Sequence, residues 1–200
     1  QIELFNKDLG GIYAIPTEMN TNGPTVYMSE TANSMPRIPW DFYTELGRPE
    51  LNTMDDLLKV LADMQAAHPT NEAGDKAYGM TLWKDWDGTS IENVNQITKW
   101  YGQEVNGSVL IGADHSITPL TDKNGAYYKM LKFFYQANQL GIVDPDSATQ
   151  DWNSACDKMR QKRTYLVWNN WMLGFTNSPE VGEKGANYMG MSIAVMKEFQ

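Results

Sequence analysis

Short apolar runs alternate with capped amphipathic helices along this chain, and that alternation restricts its fold more than any other feature. Thr53-Met-Asp-Asp56 has the form of a capping box, and Leu57, Leu58, Leu61 and Met64 recur on one helical face until Pro69 stops the pattern. The strand-like run YGMTLW (78–83) follows. Thr89-Ser-Ile-Glu92 reads as a second capping box, with Ile91, Val94, Ile97 and Tyr101 on one face up to Gly102. A third helix carries Tyr127, Leu131, Phe134 and Tyr135 and ends at Gly141. Ser147-Ala-Thr-Gln150 is expected to cap a fourth, whose apolar face holds Trp152, Cys156 and Met159. TYLVW (164–168) and YMGMSIAVM (188–196) are the last strands, and GIYAIPT (11–17) and TVYM (25–28) the first. The proline-rich segment 34–52 is expected to be a loop with one short helical turn at most. Segment 103–120 reads as a β-hairpin or an excursion with two short strands. This order implies an α/β fold, a mixed sheet covered by helices.

Two hundred residues suit one large domain or two small ones. A net charge of −9 argues against nucleic-acid binding, which needs clustered Lys and Arg to neutralise phosphates. The dense basic stretch KMRQKR (158–163) reads as a solvated helix end, its cations near the negative end of the helix dipole. The single Cys156 leaves no internal disulfide and no cysteine-rich metal site. The chain opens on QIELFNKDLGG without an initiator Met, so a segment of a longer protein is expected.

Catalytic and metal chemistries find little support in these residues. Asp85 and Asp87 with Glu92 resemble a calcium loop, but the EF-hand spacing is missing. His68 and His115 are far apart in sequence and lack local partners for zinc. Cys156 falls on the inner face of a helix, the place of a buried inert thiol, and no nucleophile elbow or phosphate loop is present. Two carboxylates drawn from Asp85, Asp87 and Glu92 would suffice for a glycosidase, though nothing in the sequence raises the pKa of either. No cofactor is expected.

The remaining signal is aromatic. Trp83-Lys-Asp-Trp86-Asp-Gly and Trp168-Asn-Asn-Trp171 each flank or follow a strand, with Asp85, Asp87, Asn169 and Asn170 beside the indoles. A flat ring offers apolar contact to the C–H face of a sugar, while carboxylates and amides bind hydroxyls in the ring plane. Open α/β sheets place their ligands beyond the carboxyl ends of strands. Taken alone, each of these tryptophans reads as a core residue sooner than a ligand platform; as two clusters at equivalent strand ends they weigh evenly between core and one carbohydrate site.

The order of segments resembles family 1 of the extracellular solute-binding proteins of ABC importers. GGIYAIPTEMNTNGPTVYMSE is similar to that family's crossover between lobes, and TMDDLLKVLADMQAAHP to a helix in which Met54 replaces the usual tryptophan. YGMTLWKDWDG, YYKMLKFFYQANQLGIVDPDSATQDW, KMRQKRTYLVWNNWM and YMGMSIAVM continue in family order, with Arg163 near a position usually held by glycine. The resemblance spans nearly the whole chain and lies nearest the sugar-importer lipoproteins of Gram-positive bacteria. It implies one lobe of a periplasmic-binding-protein-like (type II) fold, with residues 1–200 forming the second, ligand-binding lobe between two hinge crossings. Carried over to this sequence, the cleft aromatic after the YGMTL strand is Trp83 or Trp86, and the aromatic pair after TYLV is Trp168 and Trp171. Glu18 and Asn20 then fall at the cleft edge near the hinge.

The implied function is an extracellular, lipid-anchored receptor lobe that delivers a carbohydrate, an oligosaccharide in the first instance, to an ABC permease. The first lobe of the same protein and the permease are the implied partners. The competing readings are a carbohydrate-active enzyme fragment using Asp85 or Asp87 with Glu92, and a receptor for peptides or another small solute.

Overall fold

A computed structural model describes residues 2–15, 34–177, 187–191 and 193. Two units divide the chain, residues 1–31 and 32–200. In the first, helix α1 (Ile2–Asn6) is followed by irregular chain, held locally by Asn6. The Asn6 side chain donates to the Ala14 carbonyl at 2.8 Å and accepts from the Tyr13 and Ala14 amides at 2.9 and 3.1 Å. The strand expected at 11–17 is therefore not formed over residues 11–15, whose amides at 13 and 14 are spent on that side chain rather than on a ladder. The strand expected at 25–28 lies outside the described residues.

Segment 34–52, expected to be a loop with one short helical turn at most, begins instead with strand β1 (Ser34–Pro39), and the short helix α2 (Trp40–Glu45) follows it. Two prolines sit in a central strand, one at a break in its register and one at its end. The register is irregular between Ser34 and Arg37, and the Pro36 carbonyl still accepts from Met191 N at 2.7 Å. Pro39 is the strand's last residue, where no further amide is needed.

Helix α3 (Met54–Ala67) forms where the sequence places it. Thr53 Oγ1 accepts from Asp56 N at 3.1 Å, the Asp56 carboxylate accepts from Thr53 N at 2.7 Å, and Leu57, Leu58, Leu61 and Met64 are buried. Strand β2 (Tyr78–Met80) and helix α4 (Ile91–Ile97) come next. Segment 103–120 adds three strands rather than two, β3 (Gln103–Asn106), β4 (Val109–Gly112) and β5 (Ile117–Pro119), in one antiparallel sheet.

Helix α5 (Ala126–Gln139) turns a different face to the core from the one expected. Met130, Phe133 and Ala137 are buried, Tyr127 and Phe134 are half-buried, and Leu131 and Tyr135 are exposed. Aromatic residues all round this helix blur the apolar arc. The next cap also moves: Asp151, accepting from Ser154 N at 2.8 Å, caps α6 (Trp152–Arg160), while Ser147 belongs to a preceding turn of 3-10 helix. On α6, Cys156 and Met159 are buried as expected, and burial pushes the Cys156 thiol up to about 11. Strand β6 (Thr164–Asn169), helix α7 (Leu173–Thr176) and strand β7 (Tyr188–Gly190) complete the described elements.

The main sheet runs β2-β6-β1-β7. β2 and β6 are parallel, whereas β1 is antiparallel to both β6 and β7, which makes the sheet mixed as expected. The basic stretch 158–163 departs from its solvated reading. Lys158 Nζ donates to Asp144 at 2.6 Å and Asp146 at 2.8 Å, with only 11% of the lysine side chain and 1% of Asp144 exposed. Asp144 also accepts from the Thr81 hydroxyl at 2.8 Å, so this pair ties the end of β2 to α6. Lys162 similarly reaches Asp41 at 2.6 Å and lies 4.0 Å over the Phe42 ring. Removing one member of a buried pair strands the other charge. Lys158→Ala should therefore lower the free energy of unfolding by about 3 kcal/mol in urea titration, whereas Arg160→Ala, on an exposed ion pair, should change it by less than about 1 kcal/mol.

Candidate aromatic binding site

Parallel pairing of β2 with β6 brings the two tryptophan stretches to one edge. Tyr78 faces Thr164 and Met80 faces Leu166 in the ladder. Because both strands run the same way, their carboxyl ends emerge together, and Trp83, three residues past β2, becomes the neighbour of Trp168, near the end of β6. Their rings stack at 5.3 Å between centroids with 7° between planes.

This stack is a floor rather than a surface. Trp83 is 1% exposed and Trp168 fully buried, so neither of these two expected contact residues presents a free face. Trp86 and Trp171 are 43% and 49% exposed, with centroids 6.0 Å apart. Trp152, at the start of α6, packs edge-on against Trp83 at 4.6 Å and Trp171 at 5.1 Å, and tilted against Trp86 at 5.2 Å. Two buried indoles thus support a layer of three. Trp152 is the member that sequence reasoning left in the core. Its position at the first turn of α6, the end of the helix that faces the strand ends, was the available signal.

Trp168 is fixed from several sides. Its carbonyl accepts from the buried Arg37 guanidinium at 2.7 Å, and its Nε1 donates to Gln96 Oε1 at 2.8 Å. Burial lowers the Arg37 pKa from its ordinary value. Gln96 Oε1 also accepts from Asn169 Nδ2 at 2.7 Å. Neither Arg37 nor Gln96 was expected at the site, since one lies in the proline-rich segment and the other among ordinary polar positions of a helix. The chain then turns through a 3-10 segment, Asn170–Met172, which leaves Asn170 half-buried and Trp171 outward.

The loop carrying Trp86 is shaped by Asp87. Its carboxylate accepts from the Thr89, Ser90 and Glu92 amides at 2.8, 2.9 and 2.6 Å, so Asp87, not the expected Thr89 capping box, closes the start of α4. Ser90, the residue before the helix, has a left-handed φ of 67° and makes no capping bond. Partial desolvation opposes ionisation of Asp87, but the backbone and Thr89 hydrogen bonds outweigh it and hold the carboxyl below its usual range. Asp85 is exposed beside this loop. Glu18 and Asn20 lie outside the described residues, and no group of three or more metal-ligating side chains occurs among the described ones.

No known family profile matches the chain. Among curated proteins, it is 25% identical over 166 residues to the fructooligosaccharide ABC transporter substrate-binding protein FusA of Streptococcus pneumoniae serotype 4. That match covers 80% of this chain and 29% of FusA, so the chain spans less than a third of the relative's length. Among solved structures, the FusA EF-hand mutant in complex with fructo-nystose superposes with a TM-score of 0.55 at 22% identity, over 79% of this chain and 30% of that one. FusA in complex with kestose gives 0.50 at 23% identity, over 72% and 29%. The fold is periplasmic-binding-protein-like, as the sequence implied.

Asp87→Ala should cost about 1 kcal/mol of stability at neutral pH, the usual worth of a helix cap. Its carboxyl titrates lower in the folded than in the unfolded chain, so this contribution is present above the ordinary carboxylate range and is lost as pH falls through the folded value. The gap between wild type and variant in urea titrations should therefore close in acid.

Proposed function

We propose that this chain, a relative of the sugar-type solute-binding proteins of ABC importers, is the oligosaccharide-gripping second lobe of such a receptor. The observation that carries the reading is the exposed Trp86 and Trp171 pair, 6.0 Å apart on a rigid indole floor at the carboxyl ends of parallel strands. Such rings pack on the C–H faces of sugar units, and Asp85 and Asn170 supply hydrogen bonds around them. Trp83 and Trp168 act from below by holding those rings in place. Glu18 and Asn20 join the site through the family resemblance. Fructooligosaccharides are the first ligands to try, since FusA is solved with kestose and with fructo-nystose.

Function on this reading is binding and release. A ligand bridging two lobes stabilises their closed state through the contacts it makes only there. One lobe supplies part of that contact, so binding by this chain alone is weak, in the millimolar range. The reading carries with it an extracellular location, a lipid anchor, a first lobe and an ABC permease. Asp87 accepts from three backbone amides, which speaks against Asp87 as the acid or base of a paired-carboxylate enzyme.

Titration of kestose, nystose and a panel of other glycans, followed by tryptophan fluorescence, should reveal saturable binding without release of product. Trp86→Ala and Trp171→Ala should each weaken the best ligand by about five- to tenfold, the worth of one aromatic contact. Unchanged affinity would remove that ring from the site, product release would favour the enzyme, and a response to peptides alone would sink the carbohydrate reading.

A further inference from the structure

Beside the indole floor, the polarity of two amides is dictated by a third group. An indole N–H donates and cannot accept. Trp168 Nε1 lies 2.8 Å from one terminal atom of Gln96, so that atom is the oxygen. The same atom lies 2.7 Å from the Asn169 amide, so Asn169 must turn its nitrogen inward. Exchanging oxygen and nitrogen in either amide would set two donors or two acceptors against each other. The remaining ends are then assigned: Gln96 Nε2, a donor, and Asn169 Oδ1, an acceptor. Among the described residues neither has a hydrogen-bond partner, and neither is a buried orphan. Both residues are half-buried, on α4 and at the end of β6, one residue before Asn170 and two before the exposed Trp171.

A donor and an acceptor linked through one hydrogen bond are complementary to two neighbouring hydroxyl groups. One hydroxyl accepts from Gln96 Nε2–H while its neighbour donates to Asn169 Oδ1. We propose that Gln96 and Asn169 contact the ligand directly and read a vicinal diol of a sugar unit, with the direction of each hydrogen bond set by the indole of Trp168. The assignment rests on the carbohydrate reading above and deepens it: the exposed indoles take the apolar face of one unit, and the amide pair sorts sugars by the hydroxyls they offer.

Gln96→Glu tests the pair without dismantling it. The glutamate keeps an oxygen for Trp168 and Asn169, so the structural role survives, but the outward donor becomes an acceptor. The variant should unfold at the same urea concentration as wild type yet bind kestose about tenfold more weakly near neutral pH, the cost of one lost hydrogen bond at a site built for it. Binding should recover as the pH falls through the carboxylate range, because the protonated acid restores an O–H donor in the same place. Wild type measured across the same range corrects for Glu92, the titratable neighbour one turn earlier on α4, and for Asp87, whose carboxylate closes the start of that helix. Kestose affinity within twofold of wild type, a gain in affinity, or a loss that acid does not reverse would overturn the assignment. If Trp171→Ala weakens binding while Gln96→Glu does not, the carbohydrate reading stands and this assignment falls. If wild type binds neither kestose, nystose nor any other glycan of the panel, both fall.

Discussion

The parallel pairing of β2 with β6 is the constraint on which the site depends. An antiparallel pair would send the chain beyond β2 and the chain beyond β6 to opposite edges of the sheet. In the parallel arrangement both leave at the same edge, so two tryptophan stretches separated by some eighty residues of sequence meet as one cluster. The pairing is anchored where it ends. Asp144 joins Thr81, just after β2, to Lys158 on α6, and α6 in turn carries Trp152 into the indole layer.

Within the cluster, burial decides each ring's role. The Trp83 and Trp168 pair gives up its faces to the core, which removes a large apolar area from water and fixes the geometry above it. Trp86 and Trp171 remain nearly half exposed because the chain has already turned away from the sheet, at the Asp87 loop and at the 3-10 turn after Asn169. The donor-only indole of Trp168 carries this order into the polar part of the site. It orients Gln96, which orients Asn169, so that a buried ring sets the hydrogen-bond polarity of groups that reach solvent.

Residues with short-range signals could be read directly from the chain. The capping box at Thr53 and the apolar positions of α3 depend on contacts within a few residues, and they form as expected. Two caps moved to a near neighbour, from Thr89 to Asp87 and from Ser147 to Asp151. Larger misreadings occurred where a distant residue supplied what the local pattern lacked. Pro36 and Pro39 argue for a loop until β6 and β7 pair with the segment and Met191, just after β7, donates its N–H to the Pro36 carbonyl. Lys158 looks like a solvated cation until Asp144, from another segment, lies 2.6 Å away. On α5, tyrosines that can face water or core made the buried arc ambiguous, and only tertiary packing selected the arc of Met130, Phe133 and Ala137.

By itself, the sequence determined the α/β alternation, the mixed sheet and the two tryptophan stretches at strand ends, because periodicity, capping and strand composition act over a handful of residues. Which tryptophans face outward was a tertiary decision. WKDWDG and WNNW each offer two candidates, and nothing local separates the ring that stacks beneath the surface from the ring that remains above it. That choice follows from the parallel register of β2 and β6, which sets Trp83 against Trp168 and leaves Trp86 and Trp171 without room below. Gln96 shows the same limit: its place at the site exists only because α4 lies against the end of β6.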